Sequence, residues 1–137
     1  MVRWGNSLLM TFQCSNGIKQ GGQLSPLLNN VYTDDLNHHL QATGVRCYVG
    51  SDWVNSLSYG DDMVLLAPMV TALQTLLEVC RAYVVPHDIV YNTTKTVCML
   101  VLPKQLQGRF STRVRLGNEE LNIIEEFRYL GHIMTSD

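Results

Sequence analysis

Charged side chains are scarce in this 137-residue chain: 16% are Asp, Glu, Lys or Arg, against 46% hydrophobic residues. That balance excludes a disordered, solvating tail and bounds the chain to one domain, or a piece of one, with a modest core. Ten Lys and Arg stand against twelve Asp and Glu, a net charge of -2. That balance argues against strong unaided binding to a phosphate backbone, because such affinity comes mainly from counterion release by cations. Lys95, Lys104, Arg109, Arg113 and Arg115 in the second half read as scattered solvated charges or, at most, a small basic face. The four cysteines, Cys14, Cys47, Cys80 and Cys98, include no Cys-x-x-Cys pair and no histidines at ligand spacing. A zinc site and a disulfide framework are therefore not expected, and the thiols read as reduced. The adjacent His38 and His39 face different directions on a helix and make a poor ligand pair. No run approaches membrane-spanning length, and Met1-Val2-Arg3-Trp4-Gly5-Asn6 is too polar for a signal peptide. We expect no membrane partner and an intracellular protein, nuclear or cytoplasmic, in which the acceptor Asn92-Thr93-Thr94 stays unglycosylated. Repeats, low-complexity tracts and internal linkers are also missing.

What is present is concentrated in two short motifs. Tyr59-Gly60-Asp61-Asp62 lies between the apolar runs 53–58 and 63–67, which are short, rich in branched and aromatic residues, and closed by Pro68. The pattern predicts a hairpin with two acids at its tip, Gly60 supplying the freedom a tight reversal needs. Neighbouring carboxylates repel each other and lose hydration there, a cost that a divalent cation relieves. A Mg2+ site for phosphoryl transfer is one reading. An ordinary turn is the other, since Gly and Asp are also common turn residues.

The second motif, Ser15-Asn16-Gly17-Ile18-Lys19-Gln20-Gly21-Gly22-Gln23-Leu24-Ser25-Pro26, is a glycine-bearing loop that runs into a helix start. Ser25 is expected to cap the helix, with Pro26 at its first position. Gly21 and Gly22 would let the backbone approach a sugar, base or phosphate, and Gln20 can hydrogen-bond along a base or ribose edge. Glycines demanded by loop geometry alone give the same string.

Together the motifs resemble the palm of a reverse transcriptase from a non-LTR retrotransposon. Residues 16–28 match its glycine-loop motif, and Tyr59-Gly60-Asp61-Asp62 follows some thirty residues later. Tyr91-Asn92-Thr93-Thr94-Lys95-Thr96 resembles the next motif, and Phe127-Arg128-Tyr129-Leu130-Gly131 resembles the hairpin that grips the primer strand. The resemblance runs over nearly the whole chain in the family's order. It implies RNA-directed DNA polymerisation, in which a primer 3'-hydroxyl attacks an incoming deoxynucleoside triphosphate on an RNA template. In that scheme Asp61 and Asp62 hold Mg2+, with Mn2+ as the alternative ion. Gln20, Gly21 and Gly22 contact nucleotide or template, Tyr59 abuts the primer end, and Lys95 donates a proton toward pyrophosphate. Lys95 also fits a surface turn, and Tyr59 also fits core packing.

Three departures qualify the resemblance. The family's first catalytic motif, a strand bearing an aspartate that bridges both metals, would lie upstream of the glycine loop. Asp34, Asp35, Asp52 and Asp88 do not replace it: the first two fall on a helix, Asp52 precedes the hairpin strand, and Asp88 follows a proline-marked turn. Two-metal chemistry needs carboxylates from separate segments, so 1–137 is expected to be a partial domain, without the start of the fingers and without the thumb, inactive alone. Position 60 is Gly where these retrotransposon proteins usually have Ala. Asn29 stands where Phe is expected, and an aromatic helix contact is expected to be missing.

Periodicity predicts helices over residues 25–41 and from Ala72 to Tyr83, the latter with a Thr71/Gln74 capping box. Strands are expected at Val45 to Tyr48, through the acidic hairpin, at Ile89 to Tyr91, Thr96 to Leu102, Arg113 to Leu116, Glu120 to Ile124 and Phe127 to Ile133. The expected class is α+β, an antiparallel sheet with two helices on one face, as in a partial polymerase palm. An unpaired sheet edge beside the acidic hairpin leads us to expect poor solubility or self-association. Two other readings stand beside polymerase ancestry: a non-catalytic nucleic-acid-binding module, for which the expected paired aromatics are not evident, and an inactive retrotransposon relic.

Overall fold

The computed structural model describes residues 3–8, 22–105 and 111–136. Among these residues three helices and twelve short strands follow in order. Strands β1 (Arg3–Trp4) and β2 (Ser7–Leu8) precede helices α1 (Ser25–Tyr32) and α2 (Asp34–Ala42). Then come β3 (Cys47–Val49), β4 (Asp52–Val54), β5 (Ser56–Tyr59), β6 (Asp62–Leu65) and the long helix α3 (Val70–His87). The remainder is β7 (Val97–Met99), β8 (Arg115–Leu116), β9 (Glu119–Glu120), β10 (Asn122–Ile124), β11 (Glu126–Tyr129) and β12 (His132–Thr135). The mixture is α+β.

Among the described residues the strands pair two by two rather than as one sheet. Five ladders are antiparallel hairpins between sequence neighbours, and β7 and β10 pair in parallel, Val97 with Asn122 through Met99 with Ile124. The β8–β9 hairpin lies between these two strands in sequence. The expected turn at Gly117-Asn118 joins β8 to β9. The single last strand expected from Phe127 to Ile133 is instead the hairpin β11–β12, reversing at Leu130-Gly131.

The helix expected over 25–41 breaks at Thr33, whose backbone leaves helical geometry (φ -98°, ψ 5°). The Thr33 hydroxyl donates to the Asn29 carbonyl at 3.0 Å, the kind of back-bonding that bends a helix. Ser25 is not the cap: Leu24 occupies that position, and the Ser25 N–H donates to the Gly22 carbonyl at 3.1 Å. The Thr71/Gln74 capping box is also absent, because α3 starts at Val70 after an extended Met69. Gln74 is used elsewhere. Its amide donates to the Arg115 carbonyl at 2.8 Å and accepts the Arg115 N–H at 3.1 Å, clamping β8 onto α3. Pro86 lies in the last turn of α3 rather than in a loop, and the helix ends at Asp88 in the left-handed region (φ 52°).

Two apolar clusters flank α3. Leu76, Cys80 and Tyr83 meet Leu36 and Leu40 of α2, with Met63, Leu65 and Ala67 against them. Leu77 meets Cys98, Val114, Leu116 and Leu121 in a second cluster, which adjoins the first at Leu65 and Tyr91. Burial pushes the Cys80 thiol up to about 11 although its hydrogen bond to Tyr91 acts the other way, so Cys80 is a neutral core group at physiological pH. Cys47, Cys80 and Cys98 are free cysteines, and Cys14 lies outside the described residues. No helix among the described residues is long and apolar enough to cross a membrane. Ile89 to Tyr91 form no strand. Ile89 and Tyr91 pack against the α2–α3 cluster instead, and only Val97–Met99 of the expected 96–102 strand is paired.

The side chain of Leu76 is fully enclosed (0% exposed). Leu76→Ala is expected to destabilise the chain by about 2–5 kcal/mol. Urea unfolding followed by far-UV circular dichroism measures this, and a change below about 1 kcal/mol would show that the site collapses around the smaller residue.

Candidate functional site

Tyr59 and Asp62 pair across the β5–β6 ladder, leaving Gly60 and Asp61 as a two-residue reversal. Gly60 has a positive φ of 59°, which a side chain would strain, and Asp61 does not. Gly first with positive φ is the pattern of a type II′ hairpin, whose twist suits the flanking strands. Asp61 thus sits in the turn and Asp62 opens β6. Both are exposed, with neither carboxylate sealed beneath neighbouring groups.

The two acids line a continuous cleft of about 1780 Å³, open to solvent, whose wall also includes Asn29, Lys95, Phe127, Arg128 and Tyr129. Three segments far apart in sequence therefore share one groove: the acidic turn, the Asn92–Thr96 turn and the β11–β12 hairpin. Lys95 is held on a tight turn built by Asn92, whose carbonyl accepts from Lys95 N–H at 3.1 Å and Thr96 N–H at 2.9 Å. The Asn92 side chain adds an acceptor for the Thr94 hydroxyl at 2.6 Å. Tyr59 is 67% exposed, which removes core packing as its role, and it lies outside the cleft wall. Gly22 is half-buried at the loop preceding α1 and is likewise not in the wall. Gln20 and Gly21 lie outside the described residues.

Among the described residues no group of three His, Cys, Asp or Glu is placed to hold a metal ion. The two hard carboxylates nonetheless suit Mg2+, which typically takes one or two protein carboxylates and completes its shell with water and substrate phosphate. Of the acids considered as substitutes for a third ligand, Asp34 and Asp35 open α2, Asp52 opens β4, and Asp88 ends α3.

The structure adds two residues that sequence reasoning did not assign. Asn29 reaches from α1 to the acidic turn, its Nδ2 donating to the Gly60 carbonyl at 2.5 Å. The position expected to lack a contact makes a polar one, and the signal was an Asn directly after Leu27 and Leu28. Asn55, 2% exposed, separates β4 from β5 and donates to the Leu40 carbonyl at 2.8 Å and the Val45 carbonyl at 3.2 Å. It ties the base of the acidic hairpin to α2. Its carbonyl accepts the Leu66 N–H at 2.8 Å, closing the same hairpin from the other side.

Against known protein families, residues 2–134 match reverse transcriptase (RNA-dependent DNA polymerase). The chain belongs to the reverse transcriptase family. Among its curated relatives is the retrovirus-related Pol polyprotein of the type-1 retrotransposable element R2 from Popillia japonica. It is 31% identical over 122 residues, covering 85% of this chain and 17% of that protein. The corresponding R2 protein of Nasonia vitripennis is 26% identical over 130 residues, 89% of this chain and 12% of that protein. The type-2 element R2DM protein of Drosophila melanogaster is 30% identical over 126 residues, 88% of this chain and 12% of that protein. This reverse transcriptase domain therefore spans less than a fifth of the length of these relatives, and they agree with the non-LTR retrotransposon resemblance. No solved structure matches the chain.

The hairpin that resembles the primer grip is strained at its tip. Leu130 has φ 47° beside Gly131 at 86°, a left-handed pair natural to Asn-Gly and costly for Leu. Leu130 is half exposed, so little burial offsets that cost. Leu130→Asn is expected to stabilise the domain by about 1 kcal/mol. A raised midpoint in urea unfolding checks it, and an unchanged or lowered midpoint would mean the turn is not strained.

Proposed function

We propose that this chain is the palm portion of an RNA-directed DNA polymerase, running from the glycine-loop motif to the primer-grip hairpin. The observation that carries the reading is the shared cleft: Asp61, Asp62, Lys95 and the Phe127–Tyr129 segment line one groove although up to 68 positions separate them. Asp61 and Asp62 would hold Mg2+, or Mn2+ in its place, which when bound activates the primer 3'-hydroxyl and neutralises triphosphate charge. Lys95, on its rigid Asn92 turn, faces the groove where a leaving pyrophosphate would depart and supplies a proton to it. Phe127, Arg128 and Tyr129 offer two rings and one cation to a primer strand. Tyr59, exposed at the mouth of the hairpin, is available to the primer end. Gln20, Gly21 and Gly22 contact the nucleotide or template. RNA template, DNA primer and deoxynucleoside triphosphates are the partners of this reading.

The isolated chain is proposed not to polymerise, because the described residues bring no third carboxylate from a separate segment to Asp61 and Asp62. Helix α1 also leaves Leu24, Leu27, Leu28, Val31 and Tyr32 more than half exposed, all on one helical face. Such a stripe fits a domain completed by other parts of a longer polymerase, and it supports self-association of the chain on its own.

Two measurements test the reading. Mn2+ titration followed by electron paramagnetic resonance should show weak binding that Asp61→Asn with Asp62→Asn lowers at least about tenfold, on the scale of losing charged ligands. Equal binding by the double variant would remove these acids as the metal site. Primer extension on an RNA template should give no product with the chain alone, and Mg2+-dependent synthesis would overturn its proposed inactivity.

A further inference from the structure

Resting on the metal reading above, we propose that Asn29 is a positioning residue: its side-chain amide fixes the turn that presents Asp61 and Asp62. The Gly60 carbonyl belongs to the peptide that leads into Asp61, and Asn29 Nδ2 donates to it at 2.5 Å across 31 positions of sequence. Tyr59 and Asp62 form the last pair of the ladder, so the Gly60 peptide lies beyond the strands' own bonding. Without an outside donor its orientation is set only by the two-residue turn.

Asn29 is built to be such a donor. Its own carbonyl accepts both the Thr33 N–H at 2.9 Å and the Thr33 hydroxyl at 3.0 Å, which locks its backbone at the end of α1. Its side chain is half-buried and lines the same cleft as the two acids, so water competes only partly for the bond. The Phe expected at this position has no donor, so here a polar tether takes the place of an apolar contact. The tether also links α1, whose first turn is bonded to Gly22, to the acidic hairpin. The two motif-bearing segments are thereby held in fixed relation.

The test uses the 137-residue chain, isotopically labelled, with Asn29→Leu, which keeps the volume and removes the donor, and Asn29→Gln, which keeps the amide. Two quantities are read: 15N order parameters of Gly60 and Asp61, and Mn2+ affinity by electron paramagnetic resonance. Asn29→Leu is expected to lower the order parameters from about 0.85 toward 0.6. It should weaken Mn2+ binding about fivefold, the scale of one neutral hydrogen bond. Asn29→Gln should recover both at least in part, with hydrogen-exchange protection of Leu76 and Leu77 unchanged throughout. Order parameters unaltered in Asn29→Leu overturn the proposal, even if Mn2+ still binds through Asp61 and Asp62. Lowered order parameters in a chain that never binds Mn2+ support the tether and defeat the metal reading instead. Should Asn29→Leu lose the protection of Leu76, Asn29→Ser, whose hydroxyl falls short of Gly60, is read in its place by the same criteria.

Discussion

Helix α3 is the constraint on which the rest of the molecule depends. Its successive residues Leu76 and Leu77 point about 100° apart around the helix, one into the cluster with α2 and the acidic hairpin, the other into the cluster with β7, β8 and the segment before β10. A fully buried leucine contributes about 1.5–3 kcal/mol relative to exposure, so the pair anchors both halves of the chain to one rod. Short two-stranded ladders cannot supply this themselves, since an isolated hairpin is at best marginally stable in water. The β5–β6, β7–β10 and β8–β9 ladders each place a residue in the clusters around α3 or against them, which holds one of their faces.

Polar bonds between distant segments then set orientation where apolar packing leaves freedom. Gln74 grips both backbone groups of Arg115, and the Tyr83 hydroxyl donates to the Tyr32 carbonyl at 2.8 Å, joining α3 to the end of α1. The Tyr83 and His87 rings stack at 3.8 Å beside that junction. Asn55 donates to the Leu40 carbonyl, which Thr43 also holds, and to the Val45 carbonyl, so one buried amide joins the end of α2 to the segment before β3. These four residues tie β8 to α3, α3 to α1, and the base of the acidic hairpin to α2, without belonging to any of the recognised motifs.

Local chemistry was legible in the sequence to different depths. The reversal at Gly60-Asp61 and the turn at Gly117-Asn118 were read correctly, because a two-residue loop with Gly first is decided within four residues. The spacing of Ala72 to Tyr83 located α3 for the same local reason, and the family motifs located the cleft-lining acids and Lys95. Helix ends were read poorly. Ser25 and the Thr71/Gln74 pair had the right chemistry for caps, but Gln74 is satisfied better by an edge strand 41 positions away. The continuous helix over 25–41 failed at Thr33, where a side-chain bond to the Asn29 carbonyl competes with the helical ladder.

By itself the sequence determined the kind of chain this is: a mixed α and β domain of a reverse transcriptase, with two adjacent carboxylates at a hairpin tip. Those features follow from hydrophobic period, turn residues and motif order, all of which act over a few residues. Only the tertiary structure decided that strands pair in separate ladders, that β7 and β10 run in parallel, and that Asn29, Asn55 and Gln74 are structural donors. Each of these is a choice among partners far apart along the chain. A polar side chain reads the same in sequence whether it meets water or a carbonyl, until folding brings that carbonyl within reach.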